Sequence, residues 1–331
     1  MEMFKPRWDD YLPTYREEGA LRERIESMEY HLATFLTPAN MLNSLKFKKG
    51  RENLLTFYSM DFDWQRRKLM EILRATTDLD KRFVESVDKA KRHIFVPLSN
   101  RILSYWNGVT WVSGLNGITP PWFAAFAANL MDLKPGKKVL VVGFGYGYAS
   151  AVFFESMEKQ GEIFGIDIDE KTVDVGKSII SSCGYENFHF KVGNGIKGWP
   201  NSNFDAIWPT LSTVKIPYAW IKELNEDGRL CIFRPLTEHE FEYAIGHDEW
   251  FKRNFPTYQI YKNKWWEETC LSTYKKEDGK LIEISRFYDL FNPPFFDKKY
   301  GTTFSKEWKQ DLGVAETQLL KFLKENLKPS A

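Results

Sequence analysis

The chain has 331 residues, 46 of them basic and 45 acidic, and its formal net charge of +1 gives no electrostatic reason to expect a nucleic-acid or membrane partner. Its hydrophobic content of 43% is enough for a substantial core, and no run of about 20 apolar residues predicts a membrane span. Cys183, Cys231 and Cys270 form no CxxC pair and the N-terminus lacks an apolar signal core, so we expect a reduced, cytoplasmic protein without a metal site or a disulfide framework.

The first 80 residues are predicted to form a helical N-terminal extension. Between Leu21 and Phe35 the apolar residues recur at steps of four and three, which predicts one face of an amphipathic helix. This face either packs on its own domain or forms a short coiled-coil seam, so the oligomeric state stays open. The segment Lys46–Glu52 is interpreted as a solvated basic loop, with attraction of an acidic peptide as the alternative, and a further helix is expected over Asp63–Ala75.

A helix over Asp80–His93 is expected to lead into a central domain at residues 81–240. Helical patterns, notably Glu170–Cys183, separate the first four of five apolar segments that are predicted as strands. These strands are Val139–Val142, Ile163–Asp167, Phe188–Val192, Phe204–Trp208 and Leu230–Phe233. Strands that alternate with helices predict an α/β fold, namely a Rossmann-like, mostly parallel and doubly wound sheet with helices on both faces.

Residues 241–331 are rich in aromatic side chains and are predicted to form an α+β C-terminal extension. A hairpin is expected to turn at Asp278–Gly279, and a terminal amphipathic helix is expected over Val314–Leu327. The aromatic rings either line a peptide-binding groove, because rigid rings give contact area at a low entropy cost, or form a small satellite core.

The most informative stretch is VLVVGFGYGYAS, which begins at Val139. Four apolar β-formers precede Gly143, Gly145 and Gly147, and an apolar helical run follows, as in the first βα unit of a nucleotide-cofactor sheet. Backbone without Cβ atoms lets a cofactor approach closely. The spacing is GxGxG, which is commoner in S-adenosylmethionine (SAM) methyltransferases than in proteins that bind a pyrophosphate. A glycine turn in an unrelated α/β protein is the alternative.

A carboxylate at the end of the next strand supports the cofactor interpretation. Asp167 follows the glycine turn by about 20 residues, which is the position of a ribose-binding acid, and its oxygens can accept bonds from both ribose hydroxyls. Asp169 is predicted to be the N-cap of the following helix. The alternative is that either acid serves only as the cap.

Several ordered segments of the central domain resemble the motifs of protein-L-isoaspartate O-methyltransferases, over residues 85–240. They are RHIFVP from Arg92, NGITPPWFAA from Asn116, LKPGKKVLVVGFGYGYASAV from Leu133, GYENFHFKVGNGIKGWP from Gly184, and FDAIWPT from Phe204 with the following IPYAWIKELNEDGRL. The resemblance implies a class I SAM methyltransferase fold and a carboxyl O-methyltransferase whose product is S-adenosyl-L-homocysteine.

The resemblance also assigns site residues. Cofactor contacts are expected from Gly143, Gly145, Gly147, Asp167, Ile168, Gly193, Asn194 and Gly195. The serine of the family's catalytic loop falls on Thr119, which keeps a hydroxyl; its alternative role is to cap the helix that starts near Pro120. Apart from the resemblance, acceptor contacts are expected from Asn116 and Ile118 in the segment before Thr119. They are also expected from Thr210 and Ser212, which follow the fourth strand at the end where such sheets bind ligands, and which could instead cap a loop. Arg92 and His93 either pair with the substrate carboxylate or stabilise their own segment.

The chain departs from the family pattern at Gly117, where the family has threonine, at Val141, where it has an acid, and at Asn194, where it has aspartate. Residues before 81 and after 240 add to the core. With these departures the chain resembles divergent relatives from ribosomal peptide natural-product pathways, including lanthipeptides. That resemblance implies a tailoring enzyme that methylates the C-terminus or an Asp or Glu side chain of a ribosomally made peptide. The alternatives are an isoaspartate repair enzyme and a SAM-binding interaction protein without catalysis.

The expected chemistry needs no general base. A carboxylate is already anionic at pH 7, because its pKa is about 4. Holding the nucleophile in line with the methyl donor can supply roughly 7–11 kcal/mol of the barrier. Thr119 is expected to donate a hydrogen bond to one carboxylate oxygen and to leave the other free to attack.

Overall fold

The computed structural model of the protein describes residues 48–76, 79–113, 116–213, 215–235, 269–287 and 320–327. The helix predicted between residues 21 and 35 lies outside the described residues, as do most of the aromatic-rich segment and the first part of the predicted terminal helix. None of the described helices is long and apolar enough to cross a membrane.

Three helices precede the sheet: α1 (Lys48–Ser59), α2 (Phe62–Thr76) and α3 (Lys81–Lys89). Helix α2 confirms the prediction over Asp63–Ala75. The basic loop predicted at Lys46–Glu52 is wrong from Lys48 onward, because these residues form the first turn of α1, whose later residues are buried. Lys48 at that turn is exposed, while the apolar face of the same helix packs.

Helix α3 is shorter than the predicted Asp80–His93. Asp80 is its N-cap and accepts a hydrogen bond from the backbone nitrogen of Arg82. The helix ends at Lys89, and Lys91 then adopts a left-handed backbone with φ of 39°. A 3₁₀ turn at Arg92–Ile94 follows, so the chain changes direction where the RHIFVP segment begins.

An antiparallel pair, β1 (Thr110–Ser113) and β2 (Asn116–Ile118), precedes helix α4 (Pro121–Leu130). A seven-stranded sheet follows, and its strands are β3 (Lys138–Val142), β4 (Glu162–Asp167), β5 (Phe188–Val192), β6 (Phe204–Pro209), β7 (Leu224–Pro235), β8 (Thr269–Glu277) and β9 (Lys280–Phe287). They lie in the order β5-β4-β3-β6-β7-β8-β9. The helices between them are α5 (Tyr148–Ser156), α6 (Glu170–Ser182) and α7 (Tyr218–Glu223).

The predicted α/β fold and the five predicted strands are confirmed. Strands β3 to β7 pair in parallel, and successive residues of β3 face opposite sides of the sheet. Val139 and Val141 join the core that contains α4 and α5, whereas Leu140 and Val142 pack in a second core that contains Trp220 of α7. Both faces are therefore covered by helices, which is why the strands read as continuous apolar runs.

The predicted hairpin at Asp278–Gly279 is confirmed, and both residues have positive φ angles of 50° and 74°. Strand β8 pairs antiparallel with β7, so this hairpin completes the same sheet. Part of the segment assigned to the C-terminal extension is thus continuous with the core. The division at residues 80 and 240 stays a prediction.

The described ends of the chain lie against each other. Residues 320–326 are helical, and Leu323 packs in a buried cluster with side chains of α1 and of the stretch between α3 and β1. The cluster comprises Leu54, Phe57, Tyr58, Leu103, Trp106 and Leu323. This packing places residues from both added segments on the stretch that leads to β1 and β2.

Candidate functional site

The glycine turn after β3 is bound to the end of β4. The backbone nitrogens of Gly143 and Phe144 donate to the carbonyl oxygen of Ile166, at 2.8 and 3.0 Å. Gly145 has a φ of +59°, and a Cβ built on it would meet no atom within 4 Å. The backbone at Gly145 is therefore left-handed and open, which is the surface that a closely approaching ligand requires.

The buried side chain of Phe144 also holds the glycine turn in place. A Cβ on Gly165 of β4 would lie 2.3 Å from the Phe144 ring, and a Cβ on Gly176 of α6 would lie 2.8 Å from it. The ring occupies space that these two glycines leave empty. Sequence reasoning missed this residue, although a glycine inside a strand and another inside a helix were available signals of close packing.

Asp167 and Asp169 have the different environments that the sequence predicted. Asp169 accepts hydrogen bonds from the hydroxyl and the backbone nitrogen of Thr172, at 2.6 and 2.9 Å, which confirms it as the N-cap of α6. These two bonds, the hydroxyl's first, lower the pKa of Asp169. Asp167 lies at the end of β4 and accepts from the backbone nitrogens of Gly145 and Asp169, at 2.9 and 3.2 Å. Its two oxygens are held in place and keep lone pairs for a ligand.

The end of β5 completes this edge of the sheet. The nitrogen of Gly193 donates to the carbonyl oxygen of Asp167 at 2.8 Å, and a Cβ on Gly193 would meet open space. Asn194 accepts from the nitrogen of Ile196 through Oδ1, which leaves its amide NH₂ as a donor. Gly195 is tightly packed, since a Cβ there would lie 2.2 Å from Val142.

The eight residues predicted to contact the cofactor all lie on the carboxyl ends of three neighbouring strands, β3, β4 and β5. Between Asp167 and Asp169, Ile168 exposes 73% of its surface, which suits an apolar contact with a flat base. The open backbone at Gly145 and Gly193, the fixed carboxylate and the free amide fit an adenosyl group. Their individual contacts with SAM stay predictions.

The loop that contains Thr119 runs from β2 to α4. Thr119 is half-buried and is followed by Pro120, which is the N-cap of α4. The alternative that Thr119 only caps this helix is therefore wrong, because proline occupies the cap position. The nitrogen of Trp122 in the first turn is instead bound by Oδ1 of Asn107, at 3.0 Å. The hydroxyl of Thr119 is not used as a cap and stays the predicted acceptor contact.

The remaining acceptor candidates divide into two groups. The hydroxyl of Thr210 donates to the carbonyl oxygens of Gly143 and Val142, at 2.8 and 3.2 Å, so it holds the glycine turn. Ser212 is 2% exposed, and its hydroxyl has no partner among the described residues. On the β2 side, Ile118 is buried in the core, and the backbone of Asn116 pairs with Ser113. Direct contact of these residues with an acceptor is a prediction.

The side chains of Arg92 and His93 make contacts that stabilise the segment around them. Arg92 is fully buried, and its guanidinium donates to four backbone carbonyl oxygens. Nδ1 of His93 lies 2.6 Å from the hydroxyl of Tyr105, and its ring stacks on Phe62 at 4.9 Å. Burial, followed by the charge of Arg101, lowers the pKa of His93. Of the two predicted roles, the geometry favours stabilisation of the segment.

No group of His, Cys, Asp and Glu that could hold a metal ion occurs within the described parts of the chain. The three cysteines are free thiols. The polar groups described at this edge of the sheet are backbone nitrogens, the Asp167 carboxylate, the Asn194 amide and the Thr210 hydroxyl.

Comparison with known proteins identifies the family. The family described as protein-L-isoaspartate(D-aspartate) O-methyltransferase (PCMT) matches residues 64–246, more than half of the chain. Protein-L-isoaspartate O-methyltransferase 1 of Archaeoglobus fulgidus is 32% identical over 191 residues, which cover 57% of this chain and 88% of that protein. The protein-L-isoaspartate O-methyltransferase of Dictyoglomus turgidum is 30% identical over 188 residues, which cover 56% of this chain and 83% of that protein.

Solved structures support the same fold. A protein-L-isoaspartate O-methyltransferase superposes with a TM-score of 0.56 at 21% identity, over 71% of this chain and 67% of that chain. A Plasmodium falciparum structure, described as a protein of the same name in complex with S-adenosyl-L-homocysteine, superposes with a TM-score of 0.51 at 20% identity, over 68% of this chain and 94% of that chain. The chain therefore belongs to the protein-L-isoaspartate(D-aspartate) O-methyltransferase family and is a carboxyl O-methyltransferase that uses S-adenosyl-L-methionine.

Proposed function

We propose that this enzyme forms a methyl ester on a polypeptide carboxylate, and that the acceptor is the free α-carboxylate of an isoaspartyl residue in a protein. The observation that carries the proposal is the extent of the family match, which includes both the glycine turn and the Thr119 loop. Relatives named protein-L-isoaspartate O-methyltransferase are matched over 80–88% of their own lengths, at 30–33% identity. The similarity thus covers both the segments to which we assign the cofactor and the loop to which we assign the acceptor.

One group of residues binds the methyl donor, and Thr119 binds the acceptor carboxylate. When bound, SAM supplies a methyl group from its sulfonium. The glycine turn and Asp167 hold the adenosyl part at the carboxyl ends of β3 and β4. Thr119 donates a hydrogen bond to one oxygen of the acceptor carboxylate and leaves the second oxygen to attack the methyl carbon. No side chain has to remove a proton, because the carboxylate is ionised near neutral pH.

A second candidate is the tailoring of a ribosomally made peptide natural product, at its C-terminus or at an Asp or Glu side chain. Gly117, which lies in β2 close to Thr119 and is exposed, favours it, because this position has no side chain to restrict an acceptor. The segments outside the match, including α1 and residues 320–326, are further surface for a peptide.

The proposal is tested with labelled SAM and three synthetic peptides of one sequence. The first contains isoaspartate and has an amidated C-terminus, the second contains ordinary aspartate and is also amidated, and the third contains aspartate with a free C-terminus. Mass spectrometry locates the base-labile ester. Transfer to the first peptide alone supports isoaspartyl methylation. Transfer only to the second or third peptide supports tailoring and contradicts the isoaspartyl acceptor, and transfer to none contradicts both forms of the proposal.

A further inference from the structure

We infer that Arg92 is a positioning residue that fixes the location of Thr119 in the acceptor loop. The side chain of Arg92 is 0% exposed, although it carries a permanent positive charge. Its terminal nitrogens donate to four backbone carbonyl oxygens: Nη1 to those of Ser104 and Trp106, at 3.0 and 2.8 Å, and Nη2 to those of Gly108 and Ile118, at 2.9 and 3.0 Å. This set of four oxygens is called the carbonyl cage below.

The cage joins two separate stretches of chain. Three of its oxygens belong to residues 104–108, and the fourth is the carbonyl oxygen of Ile118 at the end of β2. That oxygen belongs to the peptide unit between Ile118 and Thr119. Pro120 follows directly, with its φ fixed by the ring. The backbone of Thr119 is therefore held between a peptide bound by Arg92 and a rigid proline.

Arg92 also reaches the cofactor side of the site. Its guanidinium carbon lies 5.5 Å from the centre of the Tyr148 ring. Tyr148 is the first residue of α5, directly after the glycine turn, and it is buried. One side chain thus contacts both the strand that leads into the acceptor loop and the helix that starts at the cofactor turn.

Segments outside the family match support the cage from the other side. Trp106, which lies within residues 104–108, and Leu103, which directly precedes them, pack with Leu54 of α1 and with Leu323. Neither α1 nor residues 320–326 falls within residues 64–246. The added helices therefore stabilise the same stretch whose carbonyl oxygens orient Arg92.

Lysine cannot replace this arrangement. A guanidinium presents a planar set of donors that reaches all four oxygens, whereas an ammonium has a single nitrogen with three donors. Arg92→Lys keeps the charge and leaves part of the cage without a donor. The expected consequence is a displaced Thr119 backbone, and a misplacement of about 1 Å can lower turnover about 100-fold.

The inference rests on the proposed role of Thr119, so the test is a double-mutant cycle with Arg92→Lys, Thr119→Ala and the double variant. We expect Arg92→Lys to lower kcat about 10- to 100-fold for the peptide that the wild type methylates. In the Thr119→Ala background, the same substitution should lower kcat less than about twofold. Affinity for S-adenosyl-L-homocysteine should change little. Additive effects on kcat, or an unchanged kcat in Arg92→Lys, would overturn the inference.

Arg101→Lys is the matched control. Arg101 lies in the same part of the chain, but its Nε donates to the carbonyl oxygen of Val96, at 3.2 Å, and not to the carbonyl cage. We expect this variant to keep the wild-type kcat. If Arg92→Lys fails to fold, Gly108→Ala takes its place, because the new Cβ would lie 2.6 Å from the Trp106 ring and disturb the cage while the guanidinium stays. A full kcat in Gly108→Ala would then overturn the inference.

Amide hydrogen exchange separates a failure of this inference from a failure of the proposed acceptor. We expect Arg92→Lys to speed exchange in residues 116–124 and to leave β4 unchanged. This measurement needs no peptide substrate, so it holds even if no isoaspartyl peptide is methylated. Unchanged exchange in residues 116–124 would overturn the inference whatever the acceptor is.

Discussion

The backbone nitrogen of Gly145 donates a 2.9 Å hydrogen bond to Oδ2 of Asp167, 22 residues further along the chain. The bond joins the two features that the sequence offered separately as cofactor contacts, the glycine turn and the carboxylate after the next strand. Because parallel strands β3 and β4 are neighbours, their carboxyl ends meet, and the turn and the acid orient each other.

Replacement of Asp167 by asparagine should weaken binding of S-adenosyl-L-homocysteine about 10- to 100-fold. An amide can still accept from Gly145, but the charge-assisted bonds to ribose hydroxyls, worth about 1.5–3 kcal/mol, are lost. Calorimetry measures the affinity. Asp169→Asn is the control, since this acid caps α6 through Thr172; it should leave the affinity unchanged. Equal affinities for the two variants would remove Asp167 from the cofactor site.

Gly165→Ala should destabilise the enzyme by about 1–3 kcal/mol, because its Cβ would lie 2.3 Å from the Phe144 ring. Displacement of Phe144 should also disturb the glycine turn and weaken cofactor binding. Phe144→Leu in the same chain should restore part of both losses, since a smaller side chain makes room for the methyl group. Thermal denaturation and calorimetry check this prediction, and a double variant that is worse than Gly165→Ala alone would contradict it.

Thr119→Ala should lower kcat about 10- to 100-fold, because the acceptor carboxylate loses the hydrogen bond that orients it. Binding of S-adenosyl-L-homocysteine should stay unchanged. Thr119→Ser keeps the hydroxyl and should retain most of the activity. Steady-state methyl transfer to the preferred peptide tests the three forms side by side, and a full rate in Thr119→Ala would exclude the residue from the mechanism.

Stability should fall in mildly acidic solution because of His93. Burial and the nearby Arg101 lower its pKa in the folded protein below the usual value of about 6.5, so the unfolded chain binds the proton more readily. The stabilising contribution of the neutral ring is complete above about pH 6.5 and is lost as the pH falls through the lowered pKa.

His93→Asn tests this contribution, because an amide can keep the bond to the Tyr105 hydroxyl and does not titrate. The melting temperature of the wild type should decrease more than that of the variant between about pH 7.5 and pH 5.5. Parallel pH profiles for the two proteins would show that His93 is not responsible.

The sequence predicted the parts of the fold that depend on local pattern. Strand β3, the glycine turn and the cap at Asp169 are specified by neighbouring residues, and they were placed within a residue or two of their observed bounds. The charges of Lys48–Glu52 predict a loop, but the segment is helical because it continues into apolar residues that pack. Helix formation there depends on burial of Leu54 and Phe57 against distant parts of the chain.

The sequence does not predict the contacts between residues that lie far apart in the chain. Arg92 could equally have bound a substrate carboxylate, since nothing local shows that four backbone carbonyl oxygens from residues 104–118 surround it. The addition of β8 to the edge of β7 is also a long-range pairing, across the residues between 235 and 269. Such contacts are set by the packed fold, whereas turns and caps are set by the chain itself.

The central claim is that the methyl donor binds over the open backbone of the glycine turn. Calorimetric titration of S-adenosyl-L-homocysteine into the Gly145→Val variant tests this claim most directly. Gly184→Val is the matched control: Gly184 also has a positive φ, of +68°, and a Cβ there also meets open space, but it follows α6, away from the turn. Each substitution costs about 1–2 kcal/mol of backbone strain. We predict an affinity loss of about 100-fold or more for Gly145→Val and none for Gly184→Val. Wild-type affinity in Gly145→Val would contradict the account.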